Sequence, residues 1–403
     1  MKNKDPIIIH VPSVVKKDGK ARIVCDIEYD KNVRNVWFEV DEEYAEFLCT
    51  ERSDAYVVGL LNLAMREGRD IICDVPMTEE LLYQLNTYLI PSLARHGKAM
   101  YATKIIAKTD SSPLPNYGAV GTGLSCGVDS LHALANHHNS DYPEKEITHL
   151  AINNVGAFDD HDEQYRYQLE HARSFCQEYG FNLVETNSNL HLVFDQCHLF
   201  VHTYRNCFCV LLLQKLWKTY YSGSSGKDFS SFSLKDNDVQ GCAYYELLSL
   251  QCFSTRQLKF YSEGGAVTRF DKTKRIVDFG PAHKYLHVCV MNNGSNCSKC
   301  TKCRRTLFDL DALGELDKFS HVFDISYYHN NRHWYMRRLA RHHLSPLGDK
   351  FVETAYQMLK AQQRGPGLID VVLCYPKVLY DYFRLIGKKN ALVEKCLRLA
   401  LKK

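Results

Sequence analysis

No apolar run in this chain approaches the eighteen or more residues that cross a bilayer, and its opening, Met1-Lys2-Asn3-Lys4-Asp5, lacks the apolar core of a secretion signal. A membrane role is therefore not expected. Without an export signal, sixteen cysteines point to a reducing, cytoplasmic setting in which thiols serve packing, metal binding or chemistry rather than disulfides. A formal net charge of +3 is too small to argue for nucleic acid by itself. Internal repeats and low-complexity segments are absent. What remains is a globular composition: 403 residues, 45% hydrophobic and 24% charged, long enough for two or three domains.

The most informative stretch runs from Val120 to Ser130, Val-Gly-Thr-Gly-Leu-Ser-Cys-Gly-Val-Asp-Ser, straight into Leu131-His132-Ala133-Leu134-Ala135. It reads as a small-residue loop opening a helix, where unsatisfied backbone N–H groups and the positive end of the helix dipole favour an anion. Glycines permit close approach to a phosphate, Ser125 and Ser130 add hydroxyls, and Asp129 is suited to a magnesium ion held on phosphates. No Gly-Lys-Ser/Thr closes the loop, so it is not a Walker loop, and the glycine spacing does not fit a dinucleotide fingerprint.

Ser125 to Ser130 resembles the Ser-Gly-Gly-x-Asp-Ser pyrophosphate loop of the PP-loop ATP pyrophosphatases, which cleave ATP to AMP and pyrophosphate while adenylating a substrate. Cys126 stands where that family has its first glycine, and a cysteine there is costly if the backbone needs positive φ. By the resemblance, Ser125, Cys126, Gly127, Val128, Asp129 and Ser130 hold the phosphates of ATP, with Mg2+ on Asp129.

In chain order, residues 1–113 read as a separate α+β module. Three β-rich runs, at residues 7–11, 21–27 and 36–40, form a small meander broken by turns at 17–20 and 30–32. Helical periods at 54–67 and 79–94 flank a strand at 70–75, and Thr109 to Pro115 is the expected linker. This module suits substrate recognition or assembly. A fused glutaminase would need a cysteine directly after Met1, where Lys2 stands, so nitrogen is expected as free ammonia, an amine or from a partner protein.

From residue 114 the pattern becomes α/β, with strands at 117–122, 147–154 and 181–186 alternating with helices at 131–137 and 163–180. Ligands of open parallel sheets bind beyond the carboxyl ends of the strands, so the polar ending Asn153-Asn154-Val155-Gly156-Ala157-Phe158-Asp159 is notable. The resemblance makes Asn153, Asn154 and Gly156 nucleotide contacts. Arg205-Asn206, opening an apolar helix, suits a phosphate or carboxylate and resembles a helix start of the 7-cyano-7-deazaguanine synthases. His202 beside it reads as structural. A strand at 219–226 ends in a small-residue turn, and Asp228 to Ala243 is polar. Beyond the strand 258–263, the resemblance implies that Arg269 and Lys272 face substrate or leaving pyrophosphate, and Lys274 reads as solvated.

Cys289-x7-Cys297-x2-Cys300-x2-Cys303, in a loop rich in Asn293, Gly294, Ser295 and Asn296, matches a closed tetrahedral Zn2+ site, with an iron–sulfur cluster as the rival. Together the loop and the four cysteines look like the 7-cyano-7-deazaguanine synthase group, over roughly residues 118–319. The tail, 321–403, is helical by period; Arg332, Arg337, Arg338 and Arg341 with Trp334 and Tyr335 could face nucleic acid but better fit a packed amphipathic helix.

The expected fold is α/β: an open parallel, Rossmann-like sheet with helices on both faces over 114–320, the N-terminal α+β module, and a helical C-terminal extension. The resemblance implies an ATP-dependent ligase that adenylates a carboxylate or carbonyl and then transfers nitrogen, with Asp129, Ser130, Arg205, Arg269 and Lys272 as working residues. Sulfur transfer to a tRNA base or small molecule is the alternative within that class, and would want a reactive thiol such as Cys126, Cys207 or Cys209. A non-catalytic nucleotide-binding subunit is the alternative outside it. Partners left open are a small carboxylate or carbonyl substrate, a protein donating ammonia or sulfur, and an oligomeric mate.

Overall fold

The computed structural model describes residues 4–97, 99–157, 162–224, 228–235, 241–291 and 294–387. Phe158, Asp159, Ser225, Gly226, Asn293 and the tail beyond 387, all part of expected motifs, lie outside the described residues. The chain divides into two compact units: Met1–Ser125 with Ala133–Thr268, and Cys126–His132 with Arg269–Lys403.

The first unit holds a mixed sheet flanked by helices. Its strands are β1 (Ile7–Ile9), β2 (Ser13–Lys17), β3 (Lys20–Tyr29), β4 (Asn32–Asp41), β5 (Ile71–Cys73), β6 (Met77–Thr78), β7 (Ile105–Ile106), β8 (Thr109–Asp110), β9 (Ala119–Gly123), β10 (His149–Asn154), β11 (Asn182–Ser188), β12 (Trp217–Gly223) and β13 (Lys259–Glu263). The main sheet runs β13-β12-β9-β10-β11-β4-β3-β1-β5-β7, with β2 paired to β3. The block from β13 to β11 is parallel throughout. Taken by sequence, β11-β10-β9-β12-β13 is the order third, second, first, fourth, fifth, a Rossmann-like arrangement whose switch point is the carboxyl end of β9.

Sequence explains these strands. Ala119 to Thr122 is buried on both faces, as a central parallel strand must be, whereas β3 alternates buried and exposed as a half-solvated antiparallel strand does. Gly121 has a packing reason: a Cβ there would lie 2.4 Å from the Trp217 ring, so the bare backbone of β9 admits the indole of β12. That glycine serves the sheet rather than a phosphate.

Two expectations change. Residues 1–113 are not a separate module, because β4 pairs antiparallel with β11, with Val40 opposite Thr186 and Phe38 opposite Ser188. The meander and the parallel block therefore share one sheet and one apolar core, in which Ile23, Val36, Phe38, Tyr204 and Phe208 are all buried. Nor is Thr109 to Pro115 a linker. β8 pairs with β6, and buried Arg52 holds Asp110 at 2.8 Å and donates to Ser112 Oγ at 3.1 Å.

The second unit contains no strand among its described residues. Its helices include Arg269–Val277, Gly280–Tyr285, Thr301–Leu313, Ile325–Asn330, Arg332–Leu344, Glu353–Ala361 and Leu368–Gly387. The unit starts at Arg269 rather than at 321, so the four cysteines belong with the C-terminal helices, and Cys126–His132 joins them. No described helix is long and apolar enough to cross a membrane.

Candidate functional site

Along the loop, β9 ends at Gly123, the Leu124 N–H donates to Ala151 O at 2.8 Å, and Ser125 is exposed. The helix Val128–His137 follows, and Gly127 O receives both Leu131 N at 3.0 Å and Ser130 Oγ at 3.1 Å. Ser130 thus turns its hydroxyl onto its own helix start. Cys126 has φ +52°, the left-handed region where an L side chain is strained, and its side chain is buried. The Cys126 carbonyl is held by His287 N–H at 2.8 Å, two residues before the first metal-type cysteine.

In the second unit the helix Arg269–Val277 delivers both expected basic residues to Asp129. Lys272 Nζ donates to Asp129 Oδ1 at 2.7 Å and Arg269 Nη1 stands 3.5 Å from Oδ2. The Lys272 side chain is 1% exposed and that of Asp129 26%. Burial alone would raise the Asp129 carboxyl; the charges of Lys272 and Arg269 and the hydrogen bond from Lys272 outweigh it and hold the group below the usual carboxylate range. Arg269 Nε is buried and has no hydrogen-bond partner among the described residues. A buried guanidinium N–H without an acceptor is rare, and an anionic ligand would supply one.

Sequence reasoning passed over two neighbours. Lys302, between two of the cysteines, has its ammonium pushed down by burial and by the charges of Arg269 and Arg305. Its place at the second residue of the helix Thr301–Leu313, after the capping Cys300, was the available signal. Asp309 is fully buried, accepts from Thr273 Oγ1 at 3.0 Å, and is pushed up to about 7 by burial, against the opposing charge of Arg269. The cluster is therefore cation-rich.

The four cysteines converge. Their Sγ atoms all lie within 4.8 Å of one another, and Cys297 and Cys303 are 3.9 Å apart. Tetrahedral zinc with Zn–S bonds near 2.3 Å sets sulfurs at roughly 3.8 Å, so the set fits such an ion. Backbone N–H groups already point at the sulfurs: Met291 at Cys289, Cys300 at Cys297, and Cys303 at Cys300, at 3.4, 3.3 and 3.5 Å. Donation from Cys303, followed by further hydrogen bonds, pulls the Cys300 thiol down to about 4 against burial, while Cys303 is pushed up. Among the described residues no cysteine is in a disulfide.

Asn296 braces this site without being a ligand. Its Oδ1 accepts from Val288 N and Cys289 N at 2.8 and 3.1 Å, and its Nδ2 donates to Leu286 O and Val322 O at 2.9 and 3.0 Å. Tyr335 OH donates to Ser298 O at 2.7 Å, and the residue is buried in the core. Arg332 and Arg341 likewise engage Asp311 and Asp381, and Arg338 stacks over Trp334 at 3.4 Å.

The remaining expected contacts gather within the first unit, at the ends of β10 and β11. Asn153 Nδ2 donates to Asn206 Oδ1 at 2.6 Å and its Oδ1 accepts from Thr186 Oγ1 at 2.8 Å; Asn154 Nδ2 donates to Asn187 Oδ1 at 3.1 Å. Gly156 has φ +92°, and a Cβ there would stand 2.8 Å from Arg205 Nη1. Arg205 is buried and donates to Phe194 O and Gln196 O at 3.2 and 3.3 Å, tying down that loop. His202 is half-buried, and desolvation pushes it down to about 4, a neutral packing histidine. A cavity of about 450 Å³ in the first unit, lined by Glu79, Glu80, Ser112, Gln214, Thr255 and Gln257 among others, contains none of these residues.

No protein-family model, curated protein or solved structure matches the chain.

Proposed function

We propose that the chain is an ATP-consuming ligase of the AMP- and pyrophosphate-forming type, resembling the PP-loop ATP pyrophosphatases and, within them, the 7-cyano-7-deazaguanine synthase group. The observation that carries this reading is the loop-and-cation cluster: Asp129 at a helix start with Lys272 and Arg269 on its carboxylate, and a buried Arg269 N–H awaiting an acceptor. A Walker site would instead put a lysine in the loop itself. Here the cations come from a different helix, suited to an oxygen cluster that must depart.

The chemistry is a substitution at phosphorus followed by one at carbon. A substrate carboxylate oxygen attacks the α-phosphorus of ATP, the bond from that phosphorus to the bridging oxygen of the β-phosphate breaks, and pyrophosphate leaves with the electron pair. A nitrogen nucleophile then attacks the acyl carbon, loses a proton, and AMP departs. Arg269 and Lys272 offset the charge growing on the pyrophosphate, and backbone N–H groups after Gly127 orient it. Asp129 would hold magnesium, whose charge would offset that of the phosphates. Asn153, Asn154 and Gly156 remain the proposed nucleoside contacts by resemblance.

Zinc on Cys289, Cys297, Cys300 and Cys303 is a structural element of this proposal, since four thiolates leave no open position. The sulfur-transfer alternative gains nothing from the cysteines it would use: Cys126, Cys207 and Cys209 are all buried, and desolvation pushes the Cys207 and Cys209 thiols far up.

Purified protein supplied with ATP–magnesium, candidate carboxylates and ammonium should yield AMP and pyrophosphate in equal amounts. Asp129→Asn should lower turnover at least a hundredfold while bound zinc is unchanged. ADP and phosphate as products would reject the reading. ATP binding with no turnover on any substrate class would favour a nucleotide-binding subunit.

A further inference from the structure

The helix Leu368–Gly387 carries two apolar faces. One is covered: Cys374 and Val378 are buried with Ala340, alongside Leu344 and Val371, and flanking Asp370 and Asp381 bond to His333 and Arg341. The other is open: Leu368, Val372, Tyr375, Leu379, Tyr382 and Ile386 are between 47 and 80% exposed. Their spacing is four, three, four, three, four. At about 100° per residue all six fall within roughly 80° of one another, about a quarter-turn from the covered face.

A seam repeating every 3.5 residues is the pattern of a helix packed along its length on another helix, whereas a helix lying on a globular core shows a broader stripe of period 3.6. We propose that this seam is the surface through which two copies of the chain associate. Area supports a mate of that size: the six seam residues, with Phe383 and Ile369 beside them, are all at least 47% exposed. At on the order of 100 Å² apiece these eight offer ~800 Å² per copy, which matches the ~800 Å² per partner of a standard interface. Left in water, the face would exceed the ~300–600 Å² of the largest apolar patch on an ordinary monomer.

Charge supports an identical mate. A two-fold contact sets the same surface on both copies, so any charge in the seam would face its own kind. None of the six positions is charged.

The test is sedimentation of the full chain between about 1 and 100 μM, with Leu379→Glu alongside. The wild-type chain should run at twice the mass of one chain. Leu379→Glu should run as a single chain, its dissociation constant raised at least tenfold, with helical circular dichroism and bound zinc unchanged. Should that variant lose helix content, Leu379→Cys keeps the test open: mild oxidation should link two copies covalently, beyond whatever the wild-type forms under the same oxidant. A wild-type chain that stays single, or a dimer indifferent to Leu379→Glu and not linked through Leu379→Cys, overturns the proposal. So does a full chain that is single while the chain ending at Gly387 pairs, since residues 388–403 would then cover the seam, or a single chain that binds a different protein there.

Discussion

At Cys126 the sequence departs from the loop it resembles, and the backbone shows what the departure costs. A φ of +52° costs an L residue roughly 1–2 kcal/mol that glycine would not incur. Burying the small thiol returns about 1 kcal/mol. Cys126→Gly should therefore leave unfolding free energy within about 1 kcal/mol of wild type, whereas β-branched Cys126→Val should lose about 2 kcal/mol or more, as urea titration will read. Asp309 makes a second prediction at this scale. Its carboxyl lies near the ordinary 3.8 when unfolded and is pushed up to about 7 when folded, so the folded chain holds a proton that the unfolded chain has released. Its contribution is present below pH 4 and lost as pH rises to 7. Asp309→Asn should accordingly be more stable than wild type at pH 8, by on the order of 4 kcal/mol, with the gain shrinking toward pH 5. Equal stability at both pH values would contradict it. The anomaly at Cys126 was legible in sequence because it sits inside a motif. Asp309 was not, because its burial arises only when the helices Arg269–Val277 and Thr301–Leu313 meet.

Among the elements, the cysteine loop shows how far spacing alone reaches. Cys297, Cys300 and Cys303 fall within seven residues, so local backbone geometry brings them together, and the fourth follows from a short return. Their brace could not be read the same way: Asn296 looks like an ordinary loop asparagine until Leu286, Val288 and Val322 surround it. One zinc per chain is expected by metal analysis; iron with a visible charge-transfer band would contradict this. Because zinc binding in such loops is folding free energy of ~10 kcal/mol, Cys300→Ser should lower metal content and melting temperature together, with activity falling only in proportion to folded protein. Asn296→Ala removes no ligand yet strands four backbone groups in a buried place, and should cost about 2–4 kcal/mol with weaker zinc retention under a chelator. A variant that keeps its zinc and its melting temperature would show the brace to be dispensable. His287, which holds the Cys126 carbonyl, carries that rigidity to the loop.

For the whole molecule, periodicity and strand order were separable. The alternation of strands and helices from residue 114 onward announced a parallel block, and the block is present as β13 to β11. What could not be read was that β4 would extend it, since an apolar hairpin strand such as Val36-Trp37-Phe38 carries no mark of which edge it joins. The boundaries at 113 and 320 failed to match the compact units for the same reason: long-range pairing, not composition, sets them. Both basic residues expected near the loop do reach Asp129, because an amphipathic helix with Phe270 and Ile276 inward turns Lys272 and Arg269 that way.

The central claim, that this cation cluster holds the pyrophosphate part of an adenine nucleotide, is tested most directly by equilibrium binding of ATP–magnesium to wild type and to Lys272→Met at equal zinc content. The account predicts micromolar binding to wild type and at least tenfold weaker binding to the variant, a loss of about 1.4 kcal/mol or more. Equal affinity for both, or no binding to either, would contradict it.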